Sequence, residues 1–282
     1  MTPPLIRNFI GYVKASRIPN LLIIVATQVL TAKFLLHEVI WFDLDFFLVV
    51  ISTAMIAAGG YLINDYYDQK IDMVNRPQKV VVGTEISRRP ALLSHTLTNL
   101  AAVAIGFWVD VWVGLIHIFS SFLLWYYSNH LRRLPLVGNL SIGLLSAMTF
   151  LILLVFYRAD EPIVFFYALF GFLMVVIREV IKDIQDVKGE AAFGCVTVPV
   201  IWGIRGAKTL IIAILIAGSA LLVNFLLLQS NWPLRLYFLA LAPFFLWFLY
   251  KLTKADTNRE FRTLNKFCSY IIFTGLISLT LN

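Results

Sequence analysis

Two short stretches hold most of the side chains able to do chemistry, and they are built alike. In "NDYYDQKIDMVNRPQK", residues 64–79, Asp65, Asp68 and Asp72 stand at i, i+3 and i+7. At about 100° per residue they fall within about 60° of one another, so three carboxylates share one helix face. Asn64, spaced i, i+4 and i+8 with Asp68 and Asp72, adds a neutral amide oxygen to that face. In "REVIKDIQDVKGE", residues 178–190, Asp183, Asp186 and Glu190 repeat the spacing, with Glu179 one turn deeper. Like charges so placed repel each other, and at a membrane edge they are also partly desolvated, so each face requires a cation. Oxygen donors without an accompanying His or thiolate set suit a hard divalent ion, Mg²⁺ above all. Mg²⁺ is commonly shared between a few carboxylates and the phosphates of a substrate, which makes a diphosphate the natural third component. Bases stand ready for it: Arg76 and Lys79 follow the first cluster, Arg178 and Lys182 flank the second, and Arg132 and Arg133 end the fourth apolar run. Such groups take the phosphate oxygens that metal ions leave free. A single acidic cluster at a membrane edge is ordinarily an interface anchor, but two matched ones on one side point to a site.

The elements that position these residues are membrane helices. The 282 residues are 60% hydrophobic and 14% charged, with a mean hydropathy of +0.84, against roughly 25% charged residues in a soluble domain. Apolar runs of spanning length are predicted at 20–38, 46–63, 91–109, 111–127, 137–156, 162–181, 209–228, 235–250 and 267–281. The last is short, so the count is eight or nine; an all-α bundle with nine spans is the reading adopted. No linker or low-complexity block divides it, and one transmembrane domain over 1–282 is expected. The acidic ends of the second and sixth helices recur 118 residues apart, from Asp65 to Asp183. Two similar halves could therefore face each other across a cavity.

A net charge of +7 reports topology here. With the start of the chain on the cytoplasmic side, 20 of the 23 Lys and Arg fall in cytoplasmic segments, leaving Lys33, Arg158 and Arg235 on the other. A multi-pass protein of the cell membrane is expected, with both acidic clusters cytoplasmic, lipids as its surroundings and no basic stripe for nucleic acid. No obligatory protein partner is indicated. The segment "LIRNFIGYVKASRIPN" aligns Leu5, Ile6, Phe9, Ile10 and Val13 on one face, as an interfacial helix would, and it does not read as a signal peptide. Cys195 and Cys268 have no metal-like spacing and read as packing residues, the four His form no ligand set, and Gly59, Gly60 and Gly171 suit close helix packing. Glu38, Asp43 and Asp45 fall on the far side, where solvation is expected.

These residues resemble the UbiA-type intramembrane prenyltransferases. "NDYYDQKID" matches the family's NDxxDxxxD, and "DIQDVKGE" matches DxxDxxxD with Glu190 in the last place. "RIPN" before the first helix and "YSNHLRRLPLVGN" after the fourth extend the likeness over nearly the whole chain. The resemblance implies a helical bundle around a lipid-accessible cavity, in which Mg²⁺ ions bridge the motifs and hold an isoprenyl diphosphate. The allylic C–O bond then ionises and a lipophilic acceptor captures the carbocation. It assigns Mg²⁺ to Asn64, Asp65, Asp68, Asp72, Asp183, Asp186 and Glu190, and diphosphate to Arg76, Lys79, Arg132, Arg178 and Lys182. Asp65, Asp68, Asp183, Asp186 and Tyr127 would be catalytic; Tyr127 either faces the cation or anchors the interface. Trp125 and Tyr126 are further candidates for stabilising a cation.

Two departures stand out: Glu190 is one methylene longer than Asp, and "QKVVVGTEIS", residues 78–87, replaces the RPLPSG of many relatives. Within the family, "REVIKDIQD" and "NDYYDQKIDMVNRP" look most like the branch that transfers geranylgeranyl to geranylgeranylglyceryl phosphate. For a phosphorylated acceptor, Lys188, Arg88 and Arg89 are the available further bases. Aromatic acceptors of quinone, tocopherol or haem-type pathways are the alternative. A cation transporter is the rival outside the family, although bases beside the carboxylates would obstruct a cation path while helping a diphosphate.

Overall fold

The computed structural model describes residues 4–282, apart from the side chains of residues 4–7 and 9, so Leu5, Ile6 and Phe9 of the expected apolar face lie outside the described residues. The first helix is α1, Pro4–Ala15. Nine further helices, each long and apolar enough to cross a membrane, follow among the described residues. They are α2 (Ile18–Leu30, prolonged by a π-helical turn to Leu35), α3 (Leu44–Asn75), α4 (Arg88–Val109), α5 (Val111–Asn129), α6 (Val137–Tyr157), α7 (Pro162–Ala192), α8 (Val198–Leu228), α9 (Trp232–Lys254) and α10 (Asn258–Ser278).

Helix length explains where the spans differ from the apolar runs. α3 and α7 have 32 and 31 residues, about 47 Å each at 1.5 Å per residue, while the hydrocarbon core is about 30 Å thick. Their last three turns therefore have the length to project beyond it, and these are the turns that carry the acidic motifs. Apolarity ends at the motif, but the helix does not. α8 likewise begins at Val198, inside a stretch expected to be polar loop, and is interrupted at Gly203, whose φ of +71° suits glycine. α10 starts at Asn258 because Thr257 and Glu260 form a reciprocal capping box. On the opposite side Asp43, expected to be merely solvated, caps α3 by accepting from the Phe46 N–H at 2.9 Å.

The bundle closes around α3 and α7. α3 packs against α4 and α5, α7 against α6, α8 and α10, and the two touch each other. A Cβ at Gly59 or Gly60 would lie 2.8 Å from the Asn99 side chain of α4 or the Leu124 side chain of α5, so these glycines set how closely α3 approaches both. The core of the second half is an aromatic nest, with Phe238 fully buried among Phe166, Tyr167, Phe170 and Phe225.

Candidate active site

One side chain clamps α3 to α7 at their motif ends. Asn75 donates from Nδ2 to the Asp186 carbonyl oxygen at 3.1 Å, while its Oδ1 accepts from the Gly189 N–H at 3.0 Å. Arg76, just past the end of α3, donates from Nη2 to both carboxylate oxygens of Asp186, at 2.7 and 2.9 Å. The two helix ends are thus held face to face at the mouth of a cavity of about 1190 Å³.

Every acidic residue of the first cluster lines that cavity. Asn64, Asp65, Asp68 and Asp72 all face it, with Asn64 donating to Asp68. Arg17, just before α2, donates to Asp65 at 2.7 Å and lies over the Tyr61 ring at 5.0 Å. Arg132, in the turn after α5, is buried and pairs with Asp68. Asp72 has no ion pair or side-chain hydrogen bond among the described residues. From α7 the wall receives Arg178, Glu179, Lys182 and Asp186, with Lys182 donating to Glu179 at 3.1 Å. Lys79 completes the expected diphosphate set, so all five of those bases, Arg76, Lys79, Arg132, Arg178 and Lys182, line one mouth. Deeper in, the walls turn apolar, with Ile24, Ile56, Leu145, Met148, Phe150 and Phe170.

The second cluster is split. Asp183 and Glu190 do not line the cavity: Asp183 accepts from Asn139 of α6 at 2.7 Å, and buried Glu190 accepts from Thr197 Oγ1 at 2.6 Å. Helix geometry explains it. The α7 wall centres on Lys182, and at about 100° per residue Asp186 lies about 40° from it, Glu179 about 60°, Glu190 about 80° and Asp183 about 100°. The shared arc is real, but only its near edge looks inward. Tyr127 is also off the cavity wall, buried against the 131–138 turn, where a Cβ on Gly138 would sit 3.3 Å from its ring. Phe122 and Trp125 both stack with Tyr126 on the outside of the bundle, and Tyr61 and Tyr167 are the tyrosines that line the cavity. Arg88 lies over the Tyr66 ring at 4.4 Å, and neither it nor Arg89 or Lys188 reaches the cavity.

Among the described residues, no three His, Cys, Asp or Glu side chains converge as a finished metal cage. The donor set still fits Mg²⁺, because the acidic and Asn side chains facing the mouth offer oxygen and Mg²⁺ keeps waters rather than needing an all-protein cage. Arg17 and Asn75 are further site residues, outside the set expected from the sequence. Asn75 was within reach, since it continues the Asp68–Asp72 face by one further turn.

The sequence pattern of the UbiA prenyltransferase family matches residues 25–271. The chain belongs to the UbiA prenyltransferase family. It is similar to digeranylgeranylglyceryl phosphate synthase of Methanobrevibacter smithii, 30% identical over 247 residues, 83% of this chain and 84% of the relative. A solved structure concerning digeranylgeranylglyceryl phosphate synthase in membranes superposes with a TM-score of 0.75 at 18% identity, covering 97% of both chains. A UbiA homolog from Archaeoglobus fulgidus, bound to DMAPP and Mg²⁺, superposes with a TM-score of 0.68 at 16% identity over 96% of this chain and 99% of its own. The prenyltransferase is thus an all-α, multi-pass membrane enzyme, and α3 and α7 carry its two acidic motifs.

Proposed function

We propose that this prenyltransferase moves a geranylgeranyl group from geranylgeranyl diphosphate to the hydroxyl of geranylgeranylglyceryl phosphate, with Mg²⁺ and with its mouth on the cytoplasmic side. The observation that carries the reading is one cavity whose mouth is crowded with carboxylates and bases and whose depth is mostly apolar. A prenyl diphosphate has the same polarity from head to tail. The M. smithii relative, named for the digeranylgeranylglyceryl product, supports the choice of acceptor.

Asn64, Asp65, Asp68, Asp72 and Asp186 would hold Mg²⁺, which when bound supplies charge neutralisation for a diphosphate leaving group. Arg17, Arg76, Lys79, Arg132, Arg178 and Lys182 donate to phosphate oxygens, and their fixed positions favour the charge that gathers there as the C–O bond breaks. The electron pair of that bond leaves with the diphosphate. The allylic cation forms between apolar walls that exclude water, beside the aromatic faces of Tyr61 and Phe150. The acceptor hydroxyl oxygen then forms the ether bond and releases its proton.

The test is transfer by the purified protein with Mg²⁺ and geranylgeranyl diphosphate, offering geranylgeranylglyceryl phosphate and 4-hydroxybenzoate in parallel. Product on the glyceryl phosphate, lost in Asp68→Ala and Asp186→Ala, is expected. Product on the aromatic acid alone would overturn the acceptor and keep the chemistry.

A further inference from the structure

The mouth of the cavity carries more positive charge than its carboxylates use. Among the described residues, nine Lys and Arg side chains line the cavity against six Asp and Glu, and five of the nine are already in ion pairs. Two of the remainder, Arg262 and Lys266, belong neither to α3 nor to α7 but to the first turns of α10. They have no ion pair among the described residues. Together with Arg259 and Thr263 they wall a cleft of about 430 Å³ beside the main cavity, sharing Arg262 and Lys266 with it, and no carboxylate among the described residues lines that cleft. The acids nearest in sequence are engaged elsewhere: Glu260 in the capping box with Thr257, and Asp256 with Lys208 at 3.2 Å. Gln185 of α7 donates to the Phe261 carbonyl oxygen at 3.4 Å, which fixes this part of α10 beside the Lys182–Asp186 wall.

Polarity along α10 is graded. Arg262 and Lys266 stand at the mouth, Asn265 and Ser269 follow, and Ile272 and Leu276 continue the same lining stripe inward. At 1.5 Å per residue the stripe runs about 21 Å from Arg262 to Leu276. Charge, then hydrogen-bonding groups, then hydrocarbon is the order met along a lipid that carries a phosphate on a glycerol and a long apolar chain. Bases that served only to orient the chain in the membrane would have no reason to face a cavity.

We propose that Arg262 and Lys266, with Arg259 at the outer edge, form a subsite for the phosphomonoester of the acceptor, separate from the diphosphate site between α3 and α7. The inference rests on the acceptor reading above. A phosphomonoester carries between one and two negative charges near pH 7, on the order of what two bases supply, and an Arg fork grips it through paired hydrogen bonds.

Dodecyl phosphate tests the subsite without requiring turnover. Its binding, and that of dodecanol and geranylgeranyl diphosphate, is measured on the full chain in detergent, for the wild type and for Arg262→Gln/Lys266→Gln. The double variant is expected to bind dodecyl phosphate at least about tenfold more weakly, to lose the preference for it over dodecanol, and to bind geranylgeranyl diphosphate within about twofold of wild type. Retained diphosphate binding also reports that the variant is folded, and Arg262→Lys with Lys266 intact should restore most of the preference. Equal weakening of both phosphate ligands, no weakening of either, or no preference in the wild type would each overturn the subsite. If the subsite behaves as expected but no transfer to geranylgeranylglyceryl phosphate is seen, the acceptor reading fails and the subsite stands.

Discussion

Replacing Arg76 by Met keeps the aliphatic stem and removes the only ion-pair partner that Asp186, a carboxylate just 3% exposed, has among the described residues. Breaking a buried ion pair from one side costs about 3–5 kcal/mol, because the remaining charge is left desolvated. The Arg76 side chain is 32% exposed, so water already screens part of the attraction and about 2–3 kcal/mol is the figure to expect. For 282 residues an unfolding entropy near 2.1 cal/mol/K per residue converts this to a drop of about 3–5 °C in Tm. The assay is thermal unfolding of both proteins in EDTA and again in Mg²⁺. If Asp186 faces a metal site, Mg²⁺ supplies the missing positive charge and the difference should shrink to about 2 °C or less. An equal drop in EDTA and in Mg²⁺ would refute Asp186 as a ligand, and no drop in EDTA would refute the assigned weight of the ion pair.

Three further outcomes follow from the same geometry. Asn75→Ala removes the two hydrogen bonds that tie α3 to α7, so a loss of about 1–3 kcal/mol is expected, read as a lowered Tm and as faster hydrogen exchange at the ends of α3 and α7. Asp186→Asn should raise the Mg²⁺ concentration giving half-maximal turnover at least about tenfold, whereas Glu190→Gln, away from the cavity and still able to accept from Thr197, should leave that concentration unchanged; a titration of activity against Mg²⁺ separates them. Burial pushes the Cys195 thiol up, and the nearby Glu190 adds to it. The thiolate fraction at pH 8 is therefore below that of a free thiol, and maleimide should label Cys195 slowly until the protein is unfolded in detergent.

Much of the architecture can be read from hydropathy alone, because a spanning helix must be apolar over its whole crossing. Where α3 and α7 end is not visible that way: their motif turns are polar, and it is the i, i+3 and i+7 spacing of the acids rather than hydropathy that carries the helix onward. The first acidic face is legible because Asp68 sits at the centre of its inward arc, with Asn64, Asp65 and Asp72 within about 60° of it. The second is less legible by the same rule. Periodicity states that Asp183, Asp186 and Glu190 share an arc but not which neighbour the arc meets, and Asn139 and Thr197 draw two of the three away from the cavity. Arg17, Arg262 and Lys266 join the mouth from elements far apart in sequence, which no local spacing can foretell.

The ion pairs at the mouth also set how its ligands must arrive. Asp65, Asp68, Glu179 and Asp186 are each held by a Lys or Arg when nothing is bound. On the proposed function, a metal ion that took any of these four carboxylates alone would have to detach its base, and a diphosphate that drew on those bases alone would bare a carboxylate. Arriving together they exchange partners. Each ligand should therefore raise the affinity for the other by the same factor, a reciprocal linkage that favours the metal–diphosphate pair over free Mg²⁺ or stray phosphate.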